Sequence, residues 1–171
     1  MTRRLTTLLF TAGAAALVLS TIAAKPAKYY VWNVSGSVPV GLYRLQPTGD
    51  LVVTQLVAVQ PSEPLATFLS ERGYLPRGVP MLKRVLGLPG QIVCRNGLAI
   101  TVDNIALGEA RESDSRGRQL PVWQGCRVIA DGEIFLMNWQ SADSLDGRYF
   151  GVLPAAAIIE RAEPVWTSGE E

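Results

Sequence analysis

The polar and apolar positions of this chain fall into two regimes. From Leu5 to Ala24 twenty residues run without a charge, preceded by Arg3 and Arg4 and closed by Lys25. At helical rise such a run spans a bilayer core of roughly 30 Å. The arginines ahead of it put the N-terminus in the cytoplasm and everything after Lys25 outside. The small residues at Ala23 and Ala24 also fit a cleaved signal peptide. Either reading exports the rest of the chain.

Beyond Lys25 the runs are short and alternate, or are apolar and bounded by Gly, Pro and Asp. GLYRL and LVVTQLVAVQ read as strands. PLATFLSERGYL, Pro64 to Leu75, predicts one short helix, with proline in its first turn and Gly73 where it stops. PMLKRVLGLPG reads as a strand closed by a Pro-Gly turn. QIVCR and LAITV form a hairpin at Asn96-Gly97. Residues 108–120 are polar and loop-like, and GEIFLMNW is a further strand before SADSLDGRYFG. No repeat or low-complexity linker interrupts the pattern. The expected fold class is mainly β: a compact β-barrel domain with one short helix, on a single N-terminal transmembrane helix. The boundaries are 1–24 for the signal anchor or signal peptide, 25–34 for a stalk, 35–165 for the folded domain and 166–171 for a tail.

Composition narrows the chemistry. The 171 residues make about one domain, and 48% hydrophobic against 18% charged residues excludes a disordered chain. A net charge of +1 gives no electrostatic footprint for nucleic acid. There is no histidine, which removes Ser-His-Asp and Cys-His catalysis and histidine metal sites together. No calcium-loop, P-loop or dinucleotide pattern occurs, so neither metal nor cofactor is expected. Cys94 and Cys126 are the two cysteines. In an oxidising compartment they pair as a structural disulfide, closing a loop of about 30 residues worth roughly 3 kcal/mol; the alternative is two buried thiols.

A serine nucleophile in a chain without histidine needs another base, and a neutral lysine can serve. Its pKa of about 10.4 must then fall by roughly 3 units, about 4 kcal/mol of differential interaction, and desolvation is the usual means. Strand alternation in MLKRVLG puts Met81, Lys83 and Val85 on one face and Leu82, Arg84 and Leu86 on the other. Lys83 between two apolar neighbours has the surroundings that lower a pKa, whereas Arg84 stays charged anywhere. Ser35-Gly36-Ser37, followed by Pro39, is a turn on which a serine can be presented to a cleft. From spacing alone a solvated Lys-Arg face and an ordinary turn remain the plainer readings.

Three segments, taken together, resemble the type I signal peptidase family of membrane-anchored serine proteases. SGSVP is similar to the family's nucleophile segment, KRVLGLPG to its lysine box, and SLDGRYFG to its distal S-x-D-x-R-Y-x-G box. The resemblance implies Ser37 as nucleophile and Lys83 as general base. The Ser37 amide and the Ser35 hydroxyl become the oxyanion donors. It also implies Ser144 as the residue that orients the lysine, with Asp146 and Arg148 as a supporting ion pair. A second register, SADS, nominates Ser141 and Asp143 instead; only the Ser144 register places Arg148, Tyr149 and Gly151 without a gap. Val38 and Leu82 are the first guesses for the substrate pocket.

The chain departs from the housekeeping enzymes. Val38 follows the nucleophile where they carry methionine, and Met137-Asn138-Trp139 stands where they have Gly-Asp-Asn. Together with RGYLPRGVPMLKRV, these features resemble the conjugative-transfer (TraF) branch, which matures pilins and in some members joins the new pilin ends into a ring. Implied partners are a membrane-embedded pilin or other exported precursor, the lipid bilayer and a conjugative secretion apparatus, with no nucleic acid. The implied location is the inner membrane with the catalytic domain on the periplasmic side, or the periplasm if the leader is cleaved. The twelve residues Lys25–Gly36 reach at most about 40 Å, which tethers Ser37 near the bilayer. The alternatives are a general type I signal peptidase and a non-catalytic exported scaffold of a secretion channel. A self-cleaving Ser/Lys regulator fits less well, because the chain has a membrane segment and no DNA-binding helix pair.

Overall fold

The computed structural model describes residues 3–23 and 30–168. The last residue of the expected anchor, Ala24, the first half of the expected stalk, 25–29, and the last residues of the expected tail, 169–171, lie outside them. The N-terminal run forms a helix, α1 (Arg3–Ala23). Thr7 and Thr11 turn their hydroxyls back onto the carbonyls of Arg3 and Thr7, both at 2.9 Å, and Ser20 onto Leu17. Among the described residues no helix is long and apolar enough to cross a membrane. The transmembrane helix expected over Leu5–Ala24 is therefore not supplied: hydroxyl residues and Gly13 dilute the run, and Ala24 lies outside.

The rest is mainly β, in two antiparallel sheets. The large sheet contains β1 (Tyr30–Asn33), β2 (Val40–Gln46), β3 (Leu56–Val59), β4 (Met81–Gly87), β9 (Glu133–Leu136), β10 (Val152–Pro154) and β11 (Ile158–Ser168). Its spatial order is β1-β2-β11-β3-β4-β9-β10. The small sheet contains β5 (Ile92–Asn96), β6 (Ala99–Val102), β7 (Ile105–Glu109) and β8 (Gly125–Val128), in the order β7-β6-β5-β8. The large sheet ends in β1 on one side and β10 on the other, and these do not pair. The expected closed barrel is thus corrected to two open sheets. Register breaks at Val85/Gly87, Ile158/Glu160 and Pro164/Trp166 bend the large sheet without closing it.

Two apolar layers cover the middle of the large sheet. Leu56, Ala58 and Leu82 join Tyr43, Leu45 and Ala162 on one face, while Val57, Val59, Met81 and Val85 join Leu69, Ile134 and Leu136 on the other. A strand buried on both sides carries a continuous apolar run, as LVAV in β3 does. The longer run expected over 51–60 is shortened by a turn, with Thr54 at φ +73°. Leu69 comes from α2 (Glu63–Glu71), the expected helix. It is not the only one beyond the N-terminus: α3 (Gly147–Phe150) is a single turn inside the distal box. A third layer of Leu86, Val93, Ile100, Ile129 and Phe135 joins the sheets.

The Asn96-Gly97 hairpin is present, with Asn96 opposite Ala99 and Gly97 at φ +62°. Cys94 faces Cys126 across β5 and β8, and the two form a disulfide. The loop expected at 108–120 begins two residues late, because Gly108 and Glu109 still belong to β7.

Candidate active site

β4 carries Lys83 into the core side of the sheet. Met81 and Val85, two residues away on either side, are buried in the same apolar layer, and Lys83 itself is only 6% exposed. Its Nζ donates to Ser144 Oγ at 2.9 Å. Burial is the main cause that pulls its pKa from 10.5 down to about 8. Asp146 pushes the value up and Arg148 pushes it down, so the pair beside the lysine partly cancels and desolvation decides. Arg84, one residue on, reaches outward to the Thr54 carbonyl at 2.9 Å.

The wall behind Lys83 is built by the segment after β9. Gly147 lies flat on that strand: a Cβ there would sit 2.5 Å from Phe135 Cε2 and 2.6 Å from the Leu136 carbonyl. Asp146 caps α3 by accepting the Arg148 amide, and it takes the Arg148 Nε at 2.9 Å, the Nη2 at 2.9 Å and the Asn138 amide at 3.0 Å. Both side chains of this ion pair are fully buried. Arg148 Nη2 also donates to the carbonyls of Ser141 at 2.6 Å and Ser144 at 3.1 Å. One guanidinium therefore fixes the turn that presents Ser144 to Lys83.

The opposite wall is the Ser35–Ser37 turn between β1 and β2. Ser35 Oγ and Ser37 Oγ are 3.0 Å apart. Val38 anchors the turn from below, in the apolar layer with Tyr43, and Tyr43 Oη donates to the Pro39 carbonyl at 2.6 Å. Gly36 has no left-handed φ, and a Cβ on it would meet nothing within 4 Å. The bend itself therefore does not require glycine; open space in the cleft lies beside it.

Ser35, Ser37, Lys83 and Ser144 line one cleft of about 540 Å³. Leu69, Tyr74, Leu75, Val79 and Leu82 supply much of the rest of its lining. Asp146 and Arg148 stand behind it as support. Of the two pocket guesses, Leu82 lines the cleft and Val38 does not: Val38 points into the core beneath the turn. Among the described residues no hydrogen bond joins Ser37 to Lys83; each is bonded to its own neighbour. Ser141 and Asp143 also reach the cleft, yet Asp143 is exposed and paired with Arg111, and Lys83 bonds Ser144.

Three contributing residues carry no site role in the sequence reading. Asn138 donates to the Leu82 carbonyl and accepts from the Arg84 amide, both at 3.0 Å, bracketing Lys83 on β4. Buried Arg95 donates to the Arg148 carbonyl at 2.6 Å. Asn33 holds the Ser35 turn. The available signal was a polar residue closing each of the runs YVWN, IFLMN and IVCR.

The family model of signal peptidases, peptidase S26, matches residues 2–167. The chain belongs to this family. It is therefore a serine peptidase by family. Its curated relatives include a "Conjugal transfer protein TraF" of Agrobacterium fabrum, 36% identical over 91% of this chain and 93% of the relative. A "Plasmid transfer protein TraF" of Escherichia coli is 32% identical over 96% of this chain and 97% of the relative. Among solved structures, a signal peptidase I from Enterococcus faecalis V583 aligns with a TM-score of 0.40 at 18% identity, covering 67% of this chain and 97% of the other.

Proposed function

We propose that this S26 peptidase is a Ser37/Lys83 endopeptidase that matures a conjugative pilin or a related exported precursor. The observation that carries the reading is Lys83: buried, held by Ser144, with its pKa lowered to about 8, in the same cleft as Ser37. A lysine at that pKa is deprotonated often enough at neutral pH to act as a base. Ser37 Oγ gives its proton to Lys83 Nζ and bonds to the scissile carbonyl carbon. The Ser37 amide and the Ser35 hydroxyl hold the oxyanion. The C–N bond then breaks, and the leaving amine takes the proton from the Lys83 ammonium. Water, deprotonated by Lys83, hydrolyses the ester; where the substrate's own amine attacks in its place, the product is a ring.

The two TraF relatives support the conjugative assignment. Arg3 and Arg4 ahead of an apolar helix support an N-terminal signal anchor or signal peptide, and the Cys94–Cys126 disulfide supports an oxidising compartment such as the periplasm. The family match itself also favours a second reading, a general signal peptidase with many exported substrates.

One measurement separates these: intact masses of small membrane peptides from cells carrying the wild type, Ser37→Ala or Lys83→Ala. The expected result is one pilin-like peptide matured only by the wild type, one water lighter than its linear form if it is closed to a ring and at the linear mass if it is hydrolysed. Changes in many exported proteins would assign the general enzyme, and unchanged processing by Ser37→Ala would overturn the dyad.

A further inference from the structure

The hydrogen-bond directions around Ser37 can be worked out from donor and acceptor counts, and they leave the nucleophile turned away from its base. The Asn33 side chain closes β1 and is buried. Its Nδ2 faces three carbonyls, Ser35 O at 2.8 Å, Val38 O at 3.0 Å and Pro39 O at 3.1 Å. Its Oδ1 faces the Ser35 amide at 3.2 Å and Ser35 Oγ at 2.9 Å. Carbonyls only accept and an amide N–H only donates, so the Asn33 amide has one consistent orientation. An amide oxygen has no proton to give. Ser35 must therefore spend its single hydroxyl proton on Asn33 Oδ1. The 3.0 Å contact between Ser35 and Ser37 then has one possible direction: Ser37 donates and Ser35 accepts.

Two consequences follow for the reaction. The Ser37 proton points at Ser35, while the Lys83 ammonium or amine is engaged with Ser144. The Ser35 hydroxyl, needed at the oxyanion, is engaged by Asn33. Both are undone by one torsion. If Ser35 swings from Asn33 Oδ1 to the oxygen of an arriving carbonyl, it becomes an oxyanion donor. The same swing removes the acceptor that held the Ser37 proton, leaving it free to turn to Lys83.

We propose that Asn33 is a positioning residue that latches the Ser35 hydroxyl at rest, and that the substrate carbonyl opens the latch by competing for that proton. The proposal rests on the Ser37/Lys83 reading. Asn33 keeps the turn in shape through its bonds to the Ser35 amide and the three carbonyls, so the latch opens without loss of the scaffold. The resting serine is thereby less available to stray electrophiles, and both groups are armed by the same event.

The test compares the full-length chain in detergent, free and with a peptide boronate on Ser37, by crystallography. In the free protein Ser35 Oγ should lie against Asn33 Oδ1. In the adduct it should lie against a boronate oxygen, with Asn33 still bonded to the Ser35 amide and the carbonyls. Ser35 remaining on Asn33 in the adduct overturns the latch. A kinetic arm uses Asn33→Asp, whose carboxylate keeps the accepted bonds and grips the hydroxyl harder but gives up the bonds donated to the three carbonyls, so its turn is checked by the same free-state crystal structure before its kinetics are read. Cleavage of a model peptide should lose roughly tenfold or more in kcat with KM near the wild-type value. An unchanged kcat overturns the role of Asn33. Should the carboxylate prevent folding, the adduct structure decides alone. Failure of the underlying reading looks different: no adduct forms on Ser37, or Ser37→Ala still cleaves the peptide.

Discussion

The two walls of the cleft are built on opposite principles. Lys83, Ser144, Asp146 and Arg148 are all nearly inaccessible to solvent, and main-chain groups of Asn138, Ser141 and Ser144 converge on the Asp146–Arg148 pair. The Ser35–Ser37 turn is exposed or half-exposed and is held mainly by one asparagine amide and one tyrosine hydroxyl. Under the proposed Ser37/Lys83 mechanism, the difference follows from what each wall must do. A lysine acts as a base near neutral pH only if water is kept from it, and a buried amine needs fixed partners on every side. A nucleophile must be reached by a peptide, so its wall has to stay open and its hydroxyls have to rotate.

The sharpest way to break the contrast is Lys83→Met. Peptide cleavage should fall by about 10⁴-fold or more, as when one member of a catalytic unit is removed. The same change should stabilise the fold, because it removes a buried cation. The sign follows from the folded pKa of about 8 lying below the ordinary lysine value of 10.5. Between these values the unfolded chain binds more protons than the folded one, so wild-type stability rises with pH across that window. Lys83→Met should be more stable than the wild type by roughly 3 kcal/mol below about pH 8, and the advantage should shrink toward pH 10.5. Thermal or urea unfolding at pH 7 and pH 10 measures it. An equal difference at both pH values would mean that Lys83 is not held at a lowered pKa. Wild-type cleavage should rise with pH through about 8.

Asp146→Asn tests the support behind the lysine. It leaves Arg148 buried without its carboxylate, and breaking such a pair typically costs about 3–5 kcal/mol. Asp146 also raises the Lys83 pKa while Arg148 lowers it. Whatever protein still folds should therefore show its rising limb of activity at lower pH than the wild type. A smaller step, Ser144→Ala, removes only the hydroxyl that Lys83 bonds. Stability should drop by about 1–3 kcal/mol for a lost buried bond, with kcat reduced and KM retained, since Ser144 orients the base rather than holding the peptide. Wild-type kcat in Ser144→Ala would sink its orienting role.

The buried wall was also the more legible one in the sequence. Strand parity and apolar neighbours, both local facts, make Lys83 between Met81 and Val85 a candidate inward lysine, although a solvated Lys-Arg face is the plainer reading of the spacing alone. The same holds for α2, which carries its proline and its stop within twelve residues. What stayed hidden depends on distant partners or on turn chemistry. β11 is central to the large sheet, yet no strand is expected over Ile158–Ser168 from the sequence. Its Pro164 cannot donate to the ladder and is tolerated only because the register breaks beside it. The β6–β7 hairpin turns on Asp103 and Asn104, both at positive φ, a weaker signal than Asn-Gly. Closure of a sheet is a global property that strand count does not decide, which is why two open sheets replace the expected barrel. Asn33 and Asn138 could be seen as polar residues ending apolar runs, but their carbonyl partners could not.

The smallest expected effect separates the two registers of the distal box. SADS nominates Ser141 and Asp143, while SLDGRYFG nominates Ser144 and Asp146. Asp143 is largely exposed and its ion pair with Arg111 sits at the surface, where such pairs contribute about 0–1 kcal/mol. Asp143→Ala should therefore change stability by less than about 1 kcal/mol and leave the pH at which activity rises where it was. Since Asp143 borders the cleft, a modest change in KM is the only kinetic trace expected. Asp146→Asn, three residues away, should move both stability and the pH profile. A fall in kcat with Asp143→Ala comparable to that of Ser144→Ala would mean that the base is oriented from the other register. The contrast between a buried and an exposed wall would then have been drawn in the wrong place.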